Sequence, residues 1–343
     1  MKLRKCLICR ERVMEAYGIC ESCKKMNEKK RNIHRNLTGY TALVTGARIK
    51  IGYATALRLL RDGATVIGIT RFPCDAIKRY SEEQDYENFR DRLHIIGFDL
   101  MRIDRIPALI SLIEELCPDG LDILINNSAQ TVRKSRQYYI ELAEHEEKLK
   151  LGSSANLPAA VSVENGNFQI ERYVQLPEKY EETGNYNSWV AKPEEITPQE
   201  MLEVQLINVT APFMLTTRLK GLMKKGTERN RFVINVSSVE GRFNKKVKLA
   251  RHVHTNMAKA SLNMMTHSLA MDYERDRIYM YSVDPGWVSN QFPQDYQLSR
   301  DFEQYLSFDD GASRLCNPIY MHLDDEKVKD VGTFFKDYCS IDF

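Results

Sequence analysis

ALVTGARIKIGYATALRLL, residues 42–60, decides the fold. A short apolar run reaches Thr45, a turn carries Gly46 and Gly52, and an amphipathic segment continues to Gly63. Glycines at a strand-to-helix turn let the backbone approach a pyrophosphate, and the helix N-terminus favours that negative charge. Thr45, Gly46 and Gly52 are therefore the first candidate cofactor-binding residues, and Arg48, Lys50 and Ile51 join them as candidates from within the same turn. The glycine pair alone is a weak signal; its place after a strand and before an amphipathic helix strengthens it.

The same rhythm continues downstream. TVIGI (65–69), LHIIGF (93–98), DILINN (122–127), RFVINVS (231–237) and IYMYSV (278–283) read as buried strands, and GTFF (332–335) as a late one. Helical patterns such as RIPALISLIEELC (105–117) separate them. Repeated βα units predict an α/β fold, a doubly wound parallel sheet of Rossmann type, over residues 37–343. An insertion over about 131–196 breaks the pattern. Within it QYYIELAEHEEKL (137–149) suits a helix and GSSANLPAAVSVENGN (152–167) a loop. Thr197, Pro198 and Glu200 then form a helix-start signal. So long an excursion is an active-site cover, a partner surface or a mobile ornament.

Apolar residues at 43% and charged residues at 28% fit a soluble globular protein. No run approaches the roughly 18 apolar residues needed to cross a membrane, and MKLRKCLICRERV is no signal peptide. A soluble cytoplasmic protein is the expectation. Residues 1–36 hold eleven Lys and Arg against four Glu, a charge of +7 within a whole-chain +2. Such a basic head suits a nucleic-acid or protein partner, or is a solvated tail.

Cys6, Cys9, Cys20 and Cys23 fall in that head as two CxxC pairs ten residues apart. Two thiolate knuckles can close a tetrahedral zinc site and clamp a segment too small for its own core. A structural zinc module over residues 1–36 is expected, with disulfides as the alternative.

Further motifs fix a resemblance. Thr45 to Gly52 matches the TGxxxGxG turn of the short-chain dehydrogenase/reductase superfamily, with Lys50 at the middle glycine. Asn126-Asn127-Ser128-Ala129 matches its NNAG, Asp99 its adenine-side acid, and Asn208 its helix-four asparagine. Pro285-Gly286, with Ser289 nearby, matches its PG motif. Over roughly 37–343 the chain resembles that family, which implies these residues contact a dinucleotide. Pteridine reductases similarly carry a basic residue at the Lys50 position. The second strand ends in Thr70-Arg71 without the carboxylate that would hold a ribose 2′-hydroxyl. Arg48, Lys50 and Arg71 could instead surround a 2′-phosphate, so NADP(H) is expected over NAD(H).

The resemblance also implies a catalytic set. Ser238 would orient a substrate carbonyl, Lys259 would bind the nicotinamide ribose, and Asn208 would hold a relay water. Thr255 stands where the family has its proton-donating tyrosine. An aliphatic hydroxyl is a much weaker acid than a phenol, whose pKa is about 10. His254 is therefore a candidate catalytic group, with His252, Tyr138 and Tyr139 as other substitutes. Between Ser238 and Thr255, GRFNKKVKLARH (241–252) is strongly basic and would attract an anionic substrate or acidic partner. The expected function is NADP(H)-dependent oxidoreduction of a carbonyl or imine, in a homo-oligomer (dimer or tetramer) as the resemblance implies. The alternative is a catalytically weak NADP(H)-binding protein that acts through its basic zinc head.

Overall fold

A computed structural model describes residues 4–11, 13–14, 18–152, 161–162, 187–225, 229–244, 248–288, 306–324 and 331–343. The central strands are β3 (Thr41–Thr45), β4 (Thr65–Thr70), β5 (Leu93–Gly97), β6 (Ile123–Asn126), β8 (Arg231–Val236) and β9 (Ile278–Asp284). All pair in parallel. Their near-continuous Val, Ile and Leu content follows from burial on both faces, because crossover helices cover both sides of a parallel sheet. One apolar layer includes Leu57, Leu60, Leu315 and Ile319, and the other Leu109, Ile113, Leu215 and Leu219.

The ends of the sheet go beyond the expected strands. The loop expected over 152–167 contributes β7 (Val161–Ser162), which pairs in parallel with β5; the rest of that stretch lies outside the described residues. At the opposite edge, β10 (Phe334–Lys336) realises the expected late strand and turns back into antiparallel β11 (Cys339–Ile341). The order is β11-β10-β9-β8-β6-β3-β4-β5-β7. Connections reverse direction between β3 and β6, which opens a crevice at their carboxyl ends.

The helices that matter for the site are α2 (Lys50–Arg61), α3 (Pro73–Ser81), α4 (Ile106–Leu116), α5 (Arg136–Gly152), α6 (Pro198–Gln205), α7 (Ala211–Arg218), α8 (Lys220–Met223), α9 (Val253–Glu274) and α10 (Phe308–Leu323). α5 realises the expected helix of the insertion and packs against α3. The Glu146 carboxylate of α5 accepts the backbone N–H groups of Cys74 and Asp75, which favours the α3 N-terminus. Thr197 caps α6 by accepting from the Glu200 N–H, with Pro198 at the first position.

The N-terminal segment is seated on this body. Its α1 (Glu21–Arg31) packs on α10. Arg31 pairs with Asp310 at 3.0 Å, Lys30 donates to Asn317, and Arg314 donates to Asn27. Arg35 pairs with Asp324 just beyond. Three cations of the basic head thus engage this chain's own surface.

Candidate active site

A cleft of about 990 Å³ runs along the carboxyl ends of the central strands. It gathers Gly46, Arg48, Lys50, Ile51, Gly52, Thr70, Arg71, Asp99, Asn127, Pro285 and Gly286 from the expected cofactor set. Thr45 lies behind it and builds the turn. Its hydroxyl accepts the N–H groups of Asn127 and Ser128, and its carbonyl accepts from the Asn127 side chain at 2.9 Å. Gly46 has φ +74°, and an added Cβ would come within 2.9 Å of the Ser128 hydroxyl. A Cβ on Gly52 would collide with the Gly46 carbonyl. Lys50 keeps the left-handed geometry that suits a glycine, with φ 57°.

Two expected contacts fall elsewhere. Asn126 does not line the cleft: its side chain donates to Asn235 at 2.8 Å and to Thr216 at 3.0 Å. Asn235 and Ser282 both donate to Thr266, so one polar row across β6, β8 and β9 seats α7 and α9. Asn126 is therefore a structural tie between the sheet and the helices that carry the site. Ser289 lies outside the described residues.

At one end of the cleft, Arg48 and Arg71 both stand over the Phe72 ring, at 5.1 and 5.7 Å. Arg48 also pairs with Asp75 at 2.6 Å. Partial desolvation, reinforced by nearby Lys134, holds the Lys50 ammonium below its ordinary pKa. Arg71 also covers the Tyr139 ring at 5.3 Å, and Tyr138 lies near Lys134. That places both tyrosines with the cations and not beside Lys259.

At the other end, Ser237, Ser238, Thr255 and Lys259 line the cleft. Ser237 donates to Asn263 at 2.5 Å. The Ser238 oxygen accepts the Glu240 N–H, leaving its own proton to donate. Lys259 is buried and donates to the Val236 carbonyl at 2.6 Å. Burial pushes its pKa down to about 8, against the opposing pull of Asp284. The Thr255 hydroxyl is buried without a hydrogen-bond partner among the described residues, one helical turn before Lys259. Asp284 accepts from Val239 and Gly286, tying the serine turn to the Pro285-Gly286 loop.

Asn208 sits in a π-helical turn, Leu206–Thr210, between α6 and α7. Its side chain is tied to the Gln130 backbone, accepting at 2.7 Å and donating at 3.0 Å. His254 turns away from the cleft toward Glu200, with Nε2 3.7 Å from the carboxylate. The expectation that His254 faces the substrate therefore fails on helical geometry: it is one position from Thr255, on another face of α9.

His252 does line the cleft, and so does Trp189, which stacks on it with centroids 4.0 Å apart. Trp189 belongs to the inserted region, and no motif in its sequence announces it. The basic loop is less concentrated than its sequence suggests. Arg242 lies over Phe334, Lys248 engages Glu240, and Lys245 and Lys246 lie outside the described residues. Arg251 is the cation of that loop that lines the cleft among the described residues.

The four cysteines converge, with sulfurs all within 4.8 Å of one another. Four ligands at a Zn–S distance of about 2.3 Å in tetrahedral array stand about 3.8 Å apart. Cys9 and Cys20 are separated by 3.8 Å, far beyond the S–S bond of about 2.05 Å. Cys6 accepts the Cys20 and Ile8 N–H groups at 3.3 and 3.4 Å. Burial raises its pKa, but these amides outweigh it and bring the thiol to about 6. Burial and neighbouring thiols push Cys23 up. The donor set fits a soft divalent ion such as zinc, and no disulfide joins the described cysteines.

The sequence signature described as short chain dehydrogenase matches residues 40–157, and that described as enoyl-(acyl carrier protein) reductase matches 183–315. An uncharacterized protein of Acanthamoeba polyphaga mimivirus is 31% identical over 347 residues, covering 93% of this chain and 72% of that protein. Among solved structures, the angucycline C-6 ketoreductase LanV with bound NADP superposes with TM-score 0.60 at 21% identity. That match covers 89% of this chain and 96% of LanV. The NADPH-bound carbonyl reductase from chicken fatty liver superposes with TM-score 0.57 at 18% identity, covering 91% of this chain and all of that one. At such identities the superpositions establish the fold.

Proposed function

This chain belongs to the short-chain dehydrogenase/reductase family, and on that premise we propose that it transfers a hydride between NADP(H) and a carbonyl or imine carbon. The observation that carries the reading is one cleft with Arg48, Lys50 and Arg71 toward one end and Ser238, Thr255 and Lys259 toward the other. The cations suit a 2′-phosphate, since guanidinium matches phosphate geometry. The bound nicotinamide would supply or accept the hydride. Ser238 donates to the substrate oxygen and fixes its direction. The buried Lys259 charge stabilises the alkoxide that develops as the carbonyl carbon accepts the hydride.

The proton has to reach that oxygen without a phenol. Lys259, with a pKa of about 8, titrates where a general acid works best. The Thr255 hydroxyl lies one turn away on the same helix, a spacing that would let it bridge Lys259 and the substrate oxygen. Thr255 thus serves as a hydroxyl relay, and Lys259 as the acid. A structural zinc ion would be held by Cys6, Cys9, Cys20 and Cys23. Met257, Met264 and Met271 recur every seventh residue on exposed α9 and, with exposed Phe213, support a homo-oligomeric contact along α7 and α9.

The test is NADPH consumption by purified protein across carbonyl, quinone and pterin panels, with product reduction confirmed by mass. Turnover in at least one class is expected. NADPH binding without any turnover across all three classes would remove the catalytic reading.

A further inference from the structure

The four-cysteine knuckle reaches into the cleft. Leu7, Ile8, Arg10 and Ile19 line it together with the glycine turn and the Pro285-Gly286 loop. Cys6, Ile19, Cys20 and Cys23 form one apolar cluster with Val288 and Leu306, and Ile51 and Phe308 pack against it. Ile51 belongs to the first turn of α2, where N–H groups are free to face a pyrophosphate. The knuckle therefore touches both jaws of the nucleotide cleft: the α2 start and the loop after β9.

We infer that the knuckle is a wall of the dinucleotide pocket, that Arg10 contacts the pyrophosphate, and that metal loading and cofactor affinity are linked. The inference rests on the NADP(H) reading above. Arg10 follows Cys9 directly, holds a left-handed φ of 59°, and is fixed by its N–H donating to the Cys6 carbonyl at 3.2 Å. Leu7 is held by the Gly18 carbonyl at 3.0 Å. The paired strands β1 (Arg4–Lys5) and β2 (Val13–Met14) are two residues each, too short to hold this turn unaided. A metal that gathers the sulfurs therefore sets where Ile8 and Arg10 stand. Separately, α1 is anchored by the Arg31–Asp310 and Arg314–Asn27 contacts, which do not involve the sulfurs. Losing the metal should loosen the wall and leave the body folded.

Linkage is reciprocal: if the metal tightens NADPH binding tenfold, NADPH tightens metal binding tenfold. The experiment uses full-length protein loaded with zinc. Calorimetry gives Kd for NADPH and NADH before and after stripping, and in Arg10→Ala. A chromogenic chelator then follows zinc release with and without NADPH. Stripping should weaken NADPH at least about tenfold, and Arg10→Ala should weaken both dinucleotides about five- to twentyfold, because the pyrophosphate is common to them. NADPH should slow zinc release. If stripping unfolds the protein, Arg10→Ala and the release rate still decide the matter. Unchanged affinities in Arg10→Ala overturn the pyrophosphate contact, and a release rate indifferent to NADPH overturns the linkage. Loaded wild-type protein that binds neither dinucleotide overturns the cofactor reading itself.

Discussion

Trp189 stacks on His252 with ring planes only 11° from parallel. The tryptophan comes from the inserted region, and the histidine occupies the left-handed position that starts α9, three residues before Thr255. Together they make an aromatic wall at the catalytic end of the cleft, and such a pair contributes about 0.5–1.5 kcal/mol beyond buried area. Trp189→Ala should raise the substrate KM about five- to tenfold by loosening substrate orientation. The Kd for NADPH should stay within about twofold, because the proposed phosphate contacts, Arg48, Lys50 and Arg71, lie elsewhere in the cleft. Steady-state kinetics beside a binding titration separates the two, and a variant that loses cofactor instead of substrate contradicts this placement.

In the proposed reaction Lys259 sets the pH dependence. Burial favours its neutral form and brings its pKa to about 8, with Asp284 opposing. Reduction needs the protonated form, so kcat/KM should be flat below this value and fall as pH rises through about 8. Oxidation in the reverse direction needs the neutral form and should fall as pH drops through the same value. Lys259→Met should abolish the limb along with most activity. A reduction profile that rises between pH 7 and 9 would assign the acid to another group.

Thr255 stands where the resemblance puts the proton-donating tyrosine. Its hydroxyl is buried and lacks a hydrogen-bond partner among the described residues. Valine has nearly the same shape and lacks only the hydroxyl, so Thr255→Val removes an unpartnered buried polar group without opening a cavity. Loss of the relay should lower kcat about 100-fold, the low end of what positioned proton transfer contributes. Thermal stability should not fall, because no buried bond among the described residues is broken. Unaltered kcat in single turnover would mean the proton takes a path that avoids this residue.

Much of the site was legible because strand-to-helix turns bind dinucleotides through backbone geometry, which glycine and proline spacing records. Gly46, Gly52, Lys259 and Pro285-Gly286 all stand at the cleft as their motifs imply. Motifs do not record which face of an element a side chain takes once tertiary packing acts. Asn126 lies within a motif yet turns into the sheet's polar row. His254 adjoins Thr255 in sequence yet faces Glu200. Trp189 comes from a region without periodicity, so its approach to His252 depends on how the insertion folds back. The knuckle's place in the cleft was hidden for a related reason: its last cysteine, Cys23, precedes Ile51 by 28 positions, and an apolar contact that no motif records joins them.

Lys50 couples backbone strain to cofactor choice. It holds φ 57° at the position where related chains place glycine, and a left-handed residue with a Cβ costs roughly 1 kcal/mol. Its ammonium also stands against the field of Lys134. A 2′-phosphate would relieve that repulsion, whereas a ribose hydroxyl would not. Lys50→Gly should therefore stabilise the cofactor-free protein by about 1 kcal/mol, a rise in Tm of roughly 2 °C. It should weaken NADPH about tenfold and change NADH less than about threefold. Arg71→Ala should show the same selectivity without the gain in Tm, since Arg71 has no positive φ to relieve. Melting curves and paired titrations check both variants. If Lys50→Gly weakens the two cofactors equally, the lysine serves the pyrophosphate and not the 2′-phosphate.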